Sequence, residues 1–252
     1  MRILVKLKIE KKVALSLLLI ALATVNAQSQ YKKQNQFADL AVTTGEFENS
    51  IAASYVHNWG LGKNYRWDVG VGIRTTSYFG VKRNYITAPA RLARSTTIPF
   101  VIVLAAQEEK NFDTLTVQRP LTFSTNLTFN AGYHFSPRWY GGLNIDVIGF
   151  TVGRTTSAIL TSDGTTTLES KAKPSAFNLL LTGDNDLGSL NSEFYLRYNL
   201  TNHWGVRGVY QFLFSEYKTT SDGIYQVAPN GTQVNRFRNK VNAFGVALTY
   251  QF

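Results

Sequence analysis

An all-β fold, an antiparallel sheet closed into a barrel, is what this sequence predicts, and three observations carry the prediction. Segments in which apolar residues alternate with small or polar ones recur between turn signals, the period-two pattern of a strand with two unlike faces. All six prolines avoid the interiors of these segments: Pro89, Pro99, Pro174 and Pro229 fall in connections, Pro137 in a turn and Pro120 at a strand entrance. A residue that cannot donate to a ladder belongs there. Past residue 27 no run approaches the ~18 apolar residues of a membrane helix.

The clearest strand segments are Phe47–Trp59, Tyr65–Phe79, Leu121–Phe135, Trp139–Val152, Leu190–Leu200, Trp204–Tyr217 and Phe237–Phe252. A weaker one, Phe37–Val42, precedes Thr43-Thr44-Gly45-Glu46 and brings the expected count to eight. Each stronger segment reaches the ~9–11 residues that a tilted strand needs to cross a bilayer. Connections alternate in length. Leu61–Asn64, Ser136–Arg138 and Thr201–His203 are short, whereas Gly80–Pro120, Arg154–Ser189 and Lys218–Arg236 are long, as when the two rims of a membrane barrel face different compartments. Asp163-Gly164, Asp222-Gly223 and Asn230-Gly231 are hairpin-turn signals within the long connections. The apolar run Ile98–Ala106 is expected to lie in an ordered loop, the alternatives being a lid helix, a partner-binding patch, or an extra strand that would make ten.

The segment faces have the reverse of a soluble protein's polarity. Trp67, Val69, Val71 and Ile73 oppose Arg66, Asp68, Gly70, Gly72 and Arg74; Leu121, Phe123, Leu127, Phe129 and Tyr133 oppose Ser124, Asn126, Asn130 and His134. Leu143, Ile145 and Val147 oppose Asn144 and Asp146, and Phe194, Leu196 and Tyr198 oppose Glu193, Arg197 and Asn199. In water such a barrel would bury its charges or expose an aromatic belt; lipid outside removes the conflict. Inward-facing Glu48, Asp68, Asp146 and Glu193 can then be set against Arg66, Arg74, Arg197 and Arg207. A barrel of about eight strands is just wide enough for side chains to fill. A paired polar plug is therefore expected; a narrow, porin-like channel for ions or small solutes is the alternative. Trp59, Trp67, Trp139 and Trp204 all border the short turns and form an expected aromatic girdle at one membrane–water interface.

The chain's ends agree with export. Five basic residues within the first twelve precede the uncharged apolar run Val13–Val25 and the small-residue site Val25-Asn26-Ala27, the order of a secretory signal peptide. Cleavage after residue 27 would remove five basic and one acidic residue, lowering the formal charge from +10 to +6. A short segment, 28–35, would then lead into a barrel over 36–252. No cysteine is present, which excludes lipid attachment through sulfur, disulfides and thiol chemistry. For an exported chain the basic balance points to lipopolysaccharide phosphates, not nucleic acid; Arg236, Arg238 and Lys240, at the outer end of the last strand, are placed to meet them, with a solvated strand extension as the equal alternative.

At the C-terminus, Phe244, Val246, Leu248, Tyr250 and Phe252 alternate with Gly245, Ala247, Thr249 and Gln251. This strand resembles the last strand of outer-membrane β-barrel proteins of Gram-negative bacteria, and the layout from about Phe37 to Phe252 is similar to the small OmpA/OmpX-type barrels. The resemblance implies an outer-membrane location in the cell envelope and insertion by the barrel-assembly machinery, which reads those five residues. It implies no single activity, because fold does not fix function. The long 80–120 connection departs from the small-barrel pattern and is the expected contact for a protein partner.

Enzymatic chemistry finds little support. His57, His134 and His203 sit on separate segments with no serine or carboxylate at triad-like spacing, and Asp184-Asn185-Asp186-Leu187-Gly188 breaks off the ligand series of a calcium loop. No catalytic group, cofactor or metal is expected. The chain is expected to act through surface loops, in adhesion, in envelope integrity or as an accessory to a secretion or transport assembly; a lipid-modifying enzyme ranks last.

Overall fold

The computed structural model of the chain describes residues 31–252 apart from Asp163. The expected signal peptide, 1–27, lies outside the described residues, as do residues 28–30 of the short segment 28–35 that follows it; the last two residues of that segment already belong to the first strand. Fifteen strands form among the described residues. They are β1 (Gln34–Thr44), β2 (Glu48–Leu61), β3 (Trp67–Gly80), β4 (Arg83–Thr87), β5 (Thr114–Val117), β6 (Leu121–His134), β7 (Trp139–Gly153) and β8 (Thr156–Ser162). Then follow β9 (Thr165–Pro174), β10 (Phe177–Leu179), β11 (Leu190–Asn199), β12 (Trp204–Lys218), β13 (Gln226–Val227), β14 (Gln233–Val234) and β15 (Arg236–Gln251). The count exceeds the expected eight because the long connections carry strands of their own. Thirteen strands belong to one sheet, and β13 and β14 form a separate pair.

Every pairing is antiparallel, and following the pairings of the long strands returns to the start: β1, β2, β3, β6, β7, β11, β12, β15 and again β1. The short turns between β2 and β3, β6 and β7, and β11 and β12 all lie at one end of this ring, and the long connections lie at the other. At the long-connection end β12 and β15 run on past these neighbours and take new ones. β15 pairs with β4, β4 with β5, β5 with β8, β8 with β9, and β9 with β12 through Tyr217↔Pro174 and Lys218↔Lys173. A second, smaller ring thus shares two strands with the first and caps it.

Ile98–Ala106 does not form an extra strand. It contains a 3₁₀ turn at Val101–Leu104, between the short helix α1 (Ala90–Ala93) and a second 3₁₀ turn at Glu109–Asn111. Of the three Xaa-Gly signals, two sit in hairpins: Ser162 pairs with Thr165 across a two-residue turn with Gly164 at φ +75°, and Gly231, at φ +79°, lies between β13 and β14. Asp222-Gly223 makes a turn with no strand directly on either side.

One irregularity shifts a strand's phase. The β6–β7 register slips between Leu127, opposite Ile148, and Thr128, opposite Asp146, leaving Val147 unpaired as a β-bulge. Leu143 and Ile145 are outward below it, and Ile148, Phe150 and Val152 are outward above it.

Candidate functional site: the lumen of the ring

Strand parity sends one face of each long strand into the ring, and there most of the buried residues are polar, set around a small apolar cluster of Ala41, Ala52, Tyr140, Tyr195, Val209 and Ala247. Five charged side chains meet at mid-height. Arg74 from β3 holds Asp146 of β7 through Nε at 3.0 Å and Nη2 at 2.6 Å, and its Nη1 lies 3.2 Å from Glu193 Oε1 of β11. Glu193 Oε2 takes Nη2 of Arg207 on β12 at 3.2 Å, and Arg207 Nη1 reaches Asp39 Oδ2 of β1 at 3.0 Å. The result is an alternating chain, Asp146–Arg74–Glu193–Arg207–Asp39, whose side chains are each 1% exposed. Further donors complete the carboxylates: Asn126 Nδ2 and the Asn191 amide on Asp146 at 2.7 and 2.9 Å, and Thr249 Oγ1 on Asp39 at 2.5 Å. Removing ions from water costs several kcal/mol each, and only paired, hydrogen-bonded geometry of this kind offsets that cost.

Arg197 balances the charge without joining the chain. Its guanidinium lies over the rings of Phe37, at 4.9 Å, and Tyr140, at 4.4 Å, while Arg207 lies 4.1 Å over Tyr195. Two inward glycines admit these tyrosines. A Cβ on Gly132 would stand 2.1 Å from the Tyr140 hydroxyl, and one on Gly142 would stand 2.5 Å from that of Tyr195. At the short-turn mouth Asp68 accepts from Asn35 at 3.0 Å and faces His134 Nε2 at 3.2 Å.

Higher up, Glu48 is gripped through both oxygens by Arg83 at 2.9 and 3.0 Å and accepts the Tyr78 hydroxyl at 2.9 Å. Above it the capping ring reverses the polarity of the interior. Tyr85, Leu115, Val117, Ala158, Leu160, Ala172, Tyr217 and Phe237 pack as a buried apolar cluster. A cavity walled by Thr76, Tyr78, Asp146 and Asn191 measures about 10 Å³, room for about one water.

Of the expected lumen residues, Arg74, Asp146, Glu193 and Arg207 are therefore directly linked. Arg197 is stacked beside them, Asp68 lies at the lower mouth and Glu48 near the top. Arg66 does not enter the lumen: it precedes β3, is exposed, and lies 5.6 Å over the Tyr31 ring. Asp39 and Arg83 are members that the sequence reading did not select. Arg236, Arg238 and Lys240 do not present free charge to an external phosphate: Arg236 and Arg238 pair with Glu216, and Lys240 and Arg238 with Asp184. In the calcium-loop-like segment Asp184 is thus tied to cations of the same chain, and the Asp186 carboxylate accepts the Leu181 and Thr182 amides.

Outward, the ring is apolar. Phe150 is 66% and Val246 69% exposed, with Val71, Ile73, Leu127, Phe129, Phe194, Leu196 and Leu248 in the same band. Trp59, Trp67, Trp139 and Trp204 are exposed at the short-turn end, where Trp67 meets Tyr133 at 4.6 Å, Trp139 meets Tyr198 at 4.9 Å and Trp204 meets Tyr250 at 5.0 Å. Phe252 closes this rim, its amide on the Gln36 carbonyl and its ring 5.2 Å from Tyr250.

No family model and no curated protein matches the chain. Among solved structures, a barrel described under "De novo design of transmembrane beta-barrels" superposes with a TM-score of 0.35 at 6% identity, covering 88% of this chain and 99% of that one. Neisserial surface protein A gives 0.34 at 8% identity, with 87% and 96% covered. Ail, the attachment invasion locus protein of Yersinia pestis, gives 0.31 at 9%, with 87% and 96% covered. Likeness at this level carries no weight beside the ring's own geometry.

Proposed function

We propose that the chain is an integral outer-membrane β-barrel protein. In this reading the eight-strand ring crosses the bilayer with a sealed lumen, and the protein acts without catalysis through the strand-built cap and loops at the cell surface. The observation that carries this is the opposition of the ring's two faces: an apolar outer band backed by a buried ion-pair chain. Every backbone group of a closed ring is paired within the wall, as hydrocarbon demands. The short-turn end, with its four tryptophans, is then periplasmic, and the terminal strand Phe244–Phe252 is the segment offered to the barrel-assembly machinery. Outer-membrane lipid surrounds the band, and the cap is the surface open to a protein partner in adhesion, envelope integrity or a secretion or transport assembly.

The lumen supports the plugged reading over the channel. Its ions are paired and its upper end is filled by apolar side chains. The histidines support a non-enzymatic role, since each is engaged separately: His57 with Gln36, His134 with Asp68, and His203 with the Gln251 carbonyl.

Outer-membrane fractionation with heat-dependent gel mobility is the direct test, and recovery as a soluble periplasmic protein would overturn the proposal. In planar bilayers the purified protein should pass no steady current. A conductance abolished by neutralising Arg74 and Arg207 would replace the plug with a channel.

A further inference from the structure

Residues 95–107 contain no charged side chain, yet this uncharged excursion is closed at its foot. Arg94 and Gln107 form an antiparallel bridge, the Ser95 amide donates to the Ala106 carbonyl at 3.1 Å, and Arg94 Nη1 donates to the Ala105 carbonyl at 2.8 Å. Arg94 Nε also holds Asp184, which takes Lys240 Nζ at 2.6 Å. Lys240 shares the face of β15 that carries Phe244, Val246 and Leu248, so the foot is fixed to the outside of the wall and does not lie over the lumen.

Further along, Asn185 Nδ2 donates to the Thr97 carbonyl at 3.1 Å, and Ile102 is buried against Gly183. The other large apolar side chains described in this excursion point away from the protein: Ile98 is 59%, Phe100 81%, Val101 50% and Leu104 90% exposed. Water gives no reason to hold four such side chains out on a tethered loop.

The tip is also continuous with the outer band. Phe150 of the wall faces Phe177 of β10 with ring centroids 5.9 Å apart; exposed Leu180 and Leu181 follow, with the Leu180 amide on the Val147 carbonyl of β7, and then comes Gly183, on which Ile102 rests. In height, Lys240 lies opposite Phe214, beyond Phe244 opposite Tyr210, at the upper edge of the band. Exposed Arg91 flanks the foot, placing positive charge where anionic head groups would lie, whereas Lys240 is engaged by Asp184.

We propose that Ile98–Leu104 is an interfacial anchor, lying against the wall in the outer leaflet at the boundary between head groups and acyl chains. The proposal rests on the reading of the ring as membrane-spanning. Seven residues are too few to cross a bilayer in any conformation available to them, but an apolar tip with a flanking cation suits its interface.

Because the chain lacks cysteine, single labels can map depth. An environment-sensitive fluorophore is placed at Leu104→Cys, at Val246→Cys in the wall and at Thr166→Cys in the β8–β9 hairpin. Each protein is folded into phosphatidylcholine–phosphatidylglycerol vesicles carrying nitroxides at the head group or at shallow or deep acyl positions. The Leu104 label should be quenched most by shallow nitroxides and shielded from aqueous iodide, the Val246 label by deeper ones, and the Thr166 label by iodide alone. Iodide quenching at Leu104 equal to that at Thr166, with Val246 still lipid-quenched, overturns the anchor and leaves the barrel standing. Iodide quenching at Val246 overturns both. Shielding of Leu104 that appears only at high protein-to-lipid ratio assigns the tip to a second copy of the chain and also refutes the proposal.

Discussion

Glu193 is the point at which the lumen can be tested most sharply. Its two oxygens each lie 3.2 Å from a guanidinium, one of Arg74 and one of Arg207. At that separation and an effective dielectric of ~20, each attraction amounts to ~5 kcal/mol before desolvation is subtracted. Glu193→Gln keeps the shape, removes both attractions and leaves two buried cations facing a neutral amide. Removing one partner of a buried ion pair costs ~3–5 kcal/mol, so urea unfolding in lipid vesicles, followed by heat-dependent gel mobility, should show a loss of that size. Arg207 then keeps only Asp39; because Arg207→Met removes the same Glu193 contact, the double variant should cost ~0.5–3 kcal/mol less than the sum of the single changes. If the lumen were wet and open, the pairs would be screened, each worth at most ~1 kcal/mol. A Glu193→Gln cost below that level, with costs that simply add, would refute the sealed, ion-paired lumen.

Deleting Val147 should leave a foldable protein that still shows heat-dependent mobility, because it removes the bulge and leaves Ile145, Ile148 and Phe150 all outward; deleting Leu127 on the partner strand should abolish folding. Val246→Arg should cost ~2–4 kcal/mol in a bilayer if that position lies near the midplane, and a cost near zero in the same urea titration would place the band in water. Burial alone would raise the Asp184 carboxyl, but its bonds to Lys240 and Arg94 outweigh burial and hold it below the usual carboxylate range. A depressed folded-state value means that this group's stabilisation is fully present above its unfolded pKa of ~3.9 and lost as pH falls through the folded value. The foot of 95–107 should therefore stay closed at neutral and mildly acidic pH and loosen only below ~4, read as pepsin cleavage near Phe100, and Asp184→Asn should remove this acid-dependent step.

The long strands were legible because their two faces are opposite in polarity, and ten or more residues make the alternation unmistakable. The strands of the cap are four to ten residues long. Alternation such as Thr114-Leu115-Thr116-Val117 is visible there, but it is too brief to stand out from chance, and with Arg83 placed in a loop the partner of Glu48 was lost. Asp39 was overlooked because its segment read as weak: Phe37 shares its inward face, and only the stacking of Arg197 explains a phenylalanine in a polar lumen. Arg66 follows the turn at Tyr65, φ +48°, and although its carbonyl still accepts the His134 amide at 2.8 Å, its side chain is exposed beside the Tyr31 ring and not in the lumen. The bulge did leave a trace: outward Ile145 and Ile148 are out of step across Val147. The pairings of Arg236, Arg238 and Lys240 left none, since Glu216 and Asp184 reach them only through the fold.

β12 shows why ring and cap form one unit. From Trp204 to Phe212 its outward residues are exposed or half-exposed, and its inward residues Arg207 and Gln211 are buried among polar partners. From Leu213 to Tyr217 every residue is buried, and the inward side chain has become Tyr217 of the apolar cluster. Neither the alternation nor the ladder to β15 is interrupted across this change. The strand therefore stays the same while its surroundings change, from an exposed apolar face outside and ions inside to covering chain outside and an apolar core inside. A sheet that merely continued into water would keep its polar lumen and open at the top. Replacing six ring neighbours by the four short strands narrows the circle, and apolar side chains can then fill it. The cap thus closes the ring through the same two strands that build its wall, and the continuous β12–β15 ladder leaves no hinge between the two.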